Sequence, residues 1–301
     1  MIVGVETGGT KVVCASAHEH APTRLVDAVT IPTADPVSTI EAIRRVVDRL
    51  GGPAGVAALG VAAFGPLDVD PASPRYGYVT STPKPGWSDT DLLGPLLAGR
   101  DAPAALTTDV NAAAIAEHHA RGPAAPANLA YLTVGTGIGA GILVDARVLG
   151  GTGFPEVAHL RVVRHPGDDF AGLCPFHGDC LEGLAAGPAI ARRWGRDASH
   201  LSAVQQAAAV DIEAFYLAQV ASTLRYLVGI DLLVLGGGVA KTPGLIAAVA
   251  ARIGADGAAA GSGRASLRVE KAALGDHAGV TGALLLAAER VGAADGTRAV
   301  A

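Results

Sequence analysis

IVGVETGGTKVVCASA, residues 2–17, joins two apolar runs through a polar glycine turn. Ile2–Val5 predicts a short buried strand, Thr7–Thr10 a tight turn, and Val12–Ala17 a second strand. The same plan returns in LAYLTVGTGIGAGILV, residues 129–144. This echo between the two halves of the chain predicts an α/β protein built from two related domains that face each other.

A proline-rich patch at Gly122–Pro126 provides the boundary between the two predicted domains. We therefore expect an N-terminal domain over residues 1–121 and a C-terminal domain over residues 122–301. A final helix, near residues 278–292, is expected to pack back on the N-terminal domain.

The composition indicates a globular protein that acts on small molecules. Half of the 301 residues are hydrophobic and 17% are charged, which suffices for a large core. The net charge of -5 and the pI near 6.0 give no excess positive charge to neutralise nucleic-acid phosphates. The chain begins without a signal-peptide pattern, and its mean hydropathy of +0.37 comes with no long uninterrupted apolar run. We expect a cytoplasmic protein with no nucleic-acid or membrane partner.

Three glycine turns follow buried strands, which is a pattern suited to holding phosphate. Glycine lets backbone N–H groups approach an anion closely. The turns lie at Thr7–Lys11, Gly135–Gly139 and Gly236–Gly238. No Walker A motif is present, so P-loop chemistry is excluded. The run Gly135–Ala140 matches the dinucleotide fingerprint formally but opens a strand instead of a helix, which leaves a nicotinamide dehydrogenase as a minor alternative.

Asp109 lies where a predicted strand, Ala104–Thr108, meets a predicted helix. Two roles are open to it. Its carboxylate could cap the helix, or it could act as the general base that takes a proton from an attacking sugar hydroxyl. The long loop over residues 65–87 could hold such a substrate and favours the second role.

The most specific local signal is a cluster of cysteine and histidine residues. Two thiolates and two imidazoles can complete a closed zinc tetrahedron, which is typical of a structural site. There are two alternatives to a zinc site. The four residues could be unconnected loop residues, or a cysteine could act as a nucleophile, although no acyl-transfer motif accompanies it. The candidate ligands are His159, Cys174, His177 and Cys180, with Glu156 and Glu182 on either side as possible sugar ligands.

Several motifs together resemble the ROK family of sugar kinases and regulators, and more narrowly its bacterial fructokinase branch. They extend over nearly the whole chain and are ETGGTK (6–11), GPLD (65–68), TPKPGW (82–87), TDVNAAA (108–114), GTGIGAG (135–141), PEVAH (155–159), CPFHGDCLEGLAAGPA (174–189) and LGGGV (235–239).

This resemblance implies two actin-like, ribonuclease H-like domains with a cleft between them, binding ATP, Mg²⁺ and a hexose, and usually forming a homodimer. It implies Asp109 as the base and a zinc-binding loop over residues 156–182. The expected nucleotide and Mg²⁺ contacts are Glu6, Gly8, Gly9, Thr10, Lys11, Gly135, Thr136, Gly137, Gly187, Pro188, Gly236, Gly237 and Gly238. The expected sugar contacts are Gly65, Pro66, Asn111, Glu156, His159 and Glu182, with His159 also on zinc.

Departures from the family pattern bear on the choice of sugar. Thr108 stands where the glucokinase members have Asn, and the CPFHGDC loop differs from their CxCGxxGC loop, so we expect fructose before glucose. Ala158 stands where the family commonly has Gly. Mannose, glucose and N-acetylmannosamine stay open as alternative substrates. A sugar-responsive transcription regulator is the alternative from another class, but we expect too few residues ahead of Glu6 for a helix-turn-helix.

Overall fold

The computed structural model describes residues 1–150, 154–196, 200–260 and 267–294. Its strands are β1 (Ile2–Thr7), β2 (Lys11–His18), β3 (Ala21–Pro32), β4 (Ala58–Ala63), β5 (Tyr78–Val79), β6 (Thr90–Asp91), β7 (Ala104–Thr108), β8 (Leu129–Val134), β9 (Ile138–Val144), β10 (Arg147–Val148), β11 (Leu232–Gly236) and β12 (Arg268–Lys271). Its α-helices are α1 (Pro36–Gly51), α2 (Leu93–Leu97), α3 (Asp109–Ala120), α4 (Leu181–Ala185), α5 (Gly187–Trp194), α6 (Ala203–Val228), α7 (Leu245–Ala260) and α8 (Ala278–Ala294).

The chain forms two compact units. Within the described part of the chain, the first comprises Met1–Ala116, Gly150, Phe154 and residues 277–294, and the second comprises Glu117–Leu149 and Pro155–Asp276. Among the described residues, none of the helices combines the length and apolar character needed to cross a bilayer.

The sheet of the first unit has the strand order β3-β2-β1-β4-β7. β1 pairs antiparallel with β2 and parallel with β4, and β4 pairs parallel with β7. β1 and β4 are buried along nearly their whole length, as expected of central strands covered on both faces. The helix α8 packs against β1 and β4, although more than 200 residues of sequence separate them.

Gly60, in the middle of β4, permits this close packing of α8. A Cβ atom at this position would lie 1.8 Å from the carbonyl oxygen of Ala283 in α8, a distance that no real side chain tolerates. The absence of a side chain therefore allows the helix backbone to lie directly on the strand.

The sheet of the second unit repeats the plan of the first, with the order β10-β9-β8-β11-β12. β8 pairs antiparallel with β9 and parallel with β11, which in turn pairs parallel with β12. The two predicted strand–turn–strand motifs are thus the first hairpin of each sheet, β1–β2 and β8–β9. This equivalence is what the echo in the sequence predicts.

Local sequence signals fix where the major helices start. Asp35 caps α1 by accepting a hydrogen bond from the Ser38 N–H at 3.0 Å, and Pro36 occupies the first turn. Ser202 and Gln205 form a reciprocal capping box at the start of α6, with the Gln205 side chain accepting from the Ser202 N–H at 3.1 Å. These caps satisfy N–H groups that the helices cannot satisfy internally.

Candidate active site and metal centre

Three predicted functional segments follow the carboxyl ends of neighbouring parallel strands in the first unit. Thr7 lies opposite Ala63, and Ala63 lies opposite Thr108, so β1, β4 and β7 end at one edge of the sheet. The glycine turn, the Gly65–Pro66 segment and Asp109 follow these strands directly. Ligands of open α/β sheets bind at such carboxyl edges.

The glycine turn of the first unit is held by hydrogen bonds from within that unit. The Gly8 N–H donates to the Lys11 carbonyl at 2.9 Å. Thr33 supports both sides of the turn, since its hydroxyl donates to the Gly8 carbonyl at 2.8 Å and its N–H donates to the Thr10 carbonyl at 3.0 Å. Gly8 is half-buried, while Gly9 and Thr10 are exposed, so the turn is open to a ligand.

Glu6, predicted to help position Mg²⁺, is anchored at the start of α8. Its carboxylate accepts a hydrogen bond from the Val280 N–H at 2.9 Å. A Cβ atom on Gly279 would lie 2.4 Å from the Glu6 carboxyl carbon, so the glycine makes room for the acid. A carboxylate at a helix N-terminus is favoured by the helix dipole. Its role toward the metal stays a prediction.

Thr108 supplies a side-chain cap at the start of α3. The Thr108 hydroxyl accepts a hydrogen bond from the Asn111 N–H at 3.3 Å. Asp109 instead accepts from the N–H of the next residue, Val110, at 2.9 Å and is partly exposed. Thr108 thus provides one cap for α3, and the role of Asp109 as general base stays a prediction.

Asn111, predicted to contact the sugar, carries an unsatisfied polar group. Its side chain is 1% exposed, and among the described residues its Nδ2 atom has no hydrogen-bond partner. A buried donor left unpaired costs about 1–3 kcal/mol. Such a group at the strand edge beside Asp109 is well suited to bind a ligand hydroxyl.

In the second unit, three glycine segments converge through backbone contacts. The Gly187 N–H donates to the Gly135 carbonyl at 2.7 Å. Gly236 lies opposite Thr133 in the parallel β8–β11 pair, so the turns after both strands share one edge. A Cβ atom on Gly237, which has a φ of 83°, would lie 2.4 Å from the Val134 carbonyl oxygen. The predicted nucleotide-binding segments of this unit, Gly135–Gly137, Gly187–Pro188 and Gly236–Gly238, are thus neighbours.

Glu182 and Glu156, predicted to contact the sugar, lie in different surroundings. Glu182 accepts a hydrogen bond from the Ile138 N–H at 3.0 Å, so its carboxylate lies on the second glycine turn. Glu156 is exposed and precedes a short 3-10 helix, Val157–His159. The sugar contacts of both residues stay predictions.

The structure gathers the four predicted metal ligands into one cluster. Their ligand atoms all lie within 4.8 Å of one another. Cys174 Sγ is 3.8 Å from His159 Nδ1 and 3.7 Å from His177 Nδ1, and Cys180 Sγ is 3.7 Å from His159 Nδ1. A zinc tetrahedron with Zn–S near 2.3 Å and Zn–N near 2.0 Å requires S···N edges of about 3.5 Å. The donor set therefore fits a closed zinc site.

The backbone around this cluster brings the ligands together. The Gly178 N–H donates to the Cys174 carbonyl at 2.9 Å, which closes a tight turn between the two cysteines. Gly183 packs against that turn, since a Cβ atom there would lie 2.0 Å from the Gly178 carbonyl oxygen. Burial raises the pKa of the Cys180 thiol, and the nearby Cys174 raises it further. A bound cation would reverse this tendency by favouring the thiolate.

Sequence reasoning missed a buried charge network beside this loop, which we call the Asp168 network. Asp168 accepts hydrogen bonds from Arg193 Nε and Nη2 at 2.9 Å each and from the Tyr216 hydroxyl at 2.7 Å. Burial alone would raise the pKa of Asp168, but these bonds together lower it. The network connects the segment after the predicted metal ligand His159 to α5 and α6. Its members lie far apart in the sequence, so no local pattern reveals it.

Comparison with known proteins gives consistent matches over most of the chain. The model of the ROK family matches residues 2–290. The fructokinase of Pediococcus pentosaceus is 38% identical over 293 residues, which cover 95% of this chain and 98% of that protein. The fructokinase of Streptococcus mutans is 40% identical, covering 78% of each chain.

A solved structure agrees with these matches. The chain is similar to the ROK hexokinase from Thermus thermophilus, with a TM-score of 0.75, 30% identity, and coverage of 96% of this chain and 98% of that one. The actin-like α/β fold class predicted from the sequence is confirmed. On the match of the family model and the identity to the fructokinases, this chain belongs to the ROK family.

Proposed function

We propose that this chain transfers the terminal phosphoryl group of ATP to the 6-hydroxyl of D-fructose. The observation that carries the proposal is the grouping of a phosphate-suited glycine turn, the Asp109 carboxylate at the start of α3 and an unsatisfied amide at one sheet edge. The fructokinases that match over most of the chain support fructose as the sugar. The chain is an ATP-dependent sugar kinase.

The residues of the first unit divide the chemistry between them. Asp109 takes the proton of the sugar hydroxyl as that oxygen attacks phosphorus, and the bond from phosphorus to ADP breaks. Asn111 Nδ2, with Gly65 and Pro66, orients the sugar. The backbone of Gly8–Lys11 stabilises charge on the phosphoryl oxygens.

The second unit contributes the remaining nucleotide contacts and the proposed sugar contacts Glu156, His159 and Glu182. Gly135–Gly137 hold phosphate, while Gly187–Pro188 and Gly236–Gly238 flank the adenosine. Mg²⁺, positioned with the help of Glu6 through water, neutralises phosphate charge when it is bound.

We also propose a structural zinc ion at His159, Cys174, His177 and Cys180, because the donor set and its spacing fit that metal. The zinc orders the loop that carries Glu156 and Glu182. We further propose that the protein is a cytoplasmic homodimer. Sedimentation of the purified protein tests the dimer.

The function is tested by a screen of ADP release with MgATP and free hexoses. Fructose, mannose, glucose and N-acetylmannosamine are compared at matched concentrations. We expect the highest kcat/KM with fructose. A higher value with another hexose would shift the substrate assignment, and no ADP release with any of them would remove the kinase assignment.

A further inference from the structure

Lys84 reaches the glycine turn of the first unit from a distant part of the sequence. Its Nζ atom donates a hydrogen bond to the carbonyl oxygen of Gly9, 75 residues away. Gly9 belongs to the turn that we assign to phosphate. The ammonium group therefore lies directly at the proposed phosphate site.

The loop that carries Lys84 is anchored in the core of the first unit. The Trp87 side chain is fully buried, stacks edge-on against Phe64 at 5.2 Å, and donates from Nε1 to the Ala34 carbonyl at 2.9 Å. The Trp87 N–H also donates to the Lys84 carbonyl at 3.2 Å. Lys84 thus projects from a short backbone turn whose position is fixed by a buried side chain.

The same neighbouring segment supports both the loop and the glycine turn. Ala34 receives the Trp87 hydrogen bond, while Thr33 bonds to the carbonyls of Gly8 and Thr10. A single stretch of backbone consequently sets the position of the ammonium group relative to the turn. This arrangement gives the preorganisation that electrostatic catalysis requires.

The charge of Lys84 is not neutralised by an acid within the described part of the chain, where its ammonium contacts only a neutral carbonyl. Lys241, by comparison, pairs with Asp276 at 3.2 Å. A carbonyl engages one of the three ammonium donors, and a charged phosphoryl oxygen is a stronger acceptor. The lysines of the chain are Lys11, Lys84, Lys241 and Lys271, so two of them lie at this turn.

We propose that Lys84 is a catalytic residue that binds the phosphoryl group during its transfer, an inference that rests on the proposed kinase function. As the phosphorus–oxygen bond to ADP breaks and the bond to the sugar oxygen forms, negative charge is spread over the phosphoryl oxygens. The ammonium of Lys84 neutralises part of that charge. Lys84 accepts and donates no proton in this step, since the hydroxyl proton goes to Asp109.

The test compares Lys84→Met and Lys84→Arg with Lys271→Met as the matched control. Lys271 is an exposed lysine at the end of β12, outside the proposed site. Two quantities are measured for each variant. The first is kcat with fructose and MgATP, and the second is the ratio of the affinities for a non-hydrolysable ATP analogue and for ADP, measured by calorimetry.

We expect Lys84→Met to lower kcat by about 100-fold or more and to reduce the preference for the ATP analogue over ADP, with fructose affinity unchanged. Lys84→Arg should restore part of both, because the positive charge returns. Wild-type values of kcat and of the affinity ratio in Lys84→Met would overturn the proposal and leave the kinase function intact. If Lys84→Met changes the affinity ratio but the wild type turns over none of the hexoses, the phosphate contact of Lys84 stands and the kinase function is rejected.

Discussion

Thr108 and Asp109 are adjacent residues with separate tasks. The Thr108 hydroxyl caps α3 through the Asn111 N–H, while the Asp109 carboxylate accepts from the Val110 N–H. Sequence reasoning could place Asp109 between a strand and a helix, but it could not decide between a cap and a base. That choice depends on how the Thr108 and Asp109 side chains are oriented in the folded protein, and the order of residue types does not give side-chain orientation.

We predict that Thr108→Ala lowers the free energy of unfolding by about 1 kcal/mol, because the cap at Asn111 is lost. Thr108→Asn should retain most of the stability, since Asn is also a good capping residue. Urea denaturation at neutral pH measures both. Equal stability of the alanine variant and the wild type would refute the capping role of Thr108.

Glu213 is a fully buried acid with no hydrogen bond to either carboxylate oxygen among the described residues. Burial raises its pKa well above the ordinary value of 4.5, and Arg193, 3.7 Å away, opposes this only in part. The folded state therefore retains the Glu213 proton at a pH where the unfolded chain has lost it. The contribution of Glu213 to the free energy of unfolding is therefore fully present below pH 4.5 and is lost as the pH rises through the folded-state pKa.

Glu213→Gln should remove this decline, because glutamine does not titrate. Over that pH range, the unfolding free energy of the variant relative to the wild type should rise by at most about 1.4 kcal/mol per pH unit. Urea titrations at several pH values measure the difference, and the exposed Glu41→Gln serves as the control. A difference that is constant with pH would contradict the raised pKa.

At the scale of elements, the strands and glycine turns were the most predictable features. Alternating or continuous apolar runs beside glycine are local signals, and they identified β1, β2, β8 and β9. The convergence of Gly135, Gly187 and Gly237 could not be predicted in this way. It depends on how three separate elements pack, and periodicity within one element carries no information about that packing.

The metal cluster illustrates a prediction that spacing alone could support. Cys174, His177 and Cys180 are three residues apart, which restricts them to one turn of backbone. The Asp168 network in the adjacent segment was missed, because Arg193 and Tyr216 are 25 and 48 residues away. No short-range pattern connects these three residues.

We predict about one equivalent of zinc in the purified protein. Cys174→Ser should lose the metal and weaken fructose binding, because the loop that carries Glu156 loses its ordering centre. Metal analysis by mass spectrometry and calorimetry with fructose measure these effects. Cys14→Ala is the control, since Cys14 lies buried in the first unit outside the cluster and should leave the zinc content unchanged. Active wild-type protein without zinc would end this assignment.

At the scale of the whole molecule, one strand order is used twice. The two sheets have equivalent orders and the same pattern of parallel and antiparallel pairs. The sequence echo predicted this repetition of strand–turn–strand motifs. We expected the C-terminal helix to pack back on the N-terminal domain, while the tight packing of α8 over Gly60 required the structure.

The account as a whole depends on Asp109 acting as the base in the phosphorylation of fructose. The most direct test follows the product by phosphorus NMR, with fructose and MgATP, for the wild type and for Asp109→Asn. The wild type should form fructose 6-phosphate, while the variant should be slower by about 100- to 10,000-fold and should bind fructose with similar affinity. Formation of the product at the wild-type rate by Asp109→Asn would contradict the account.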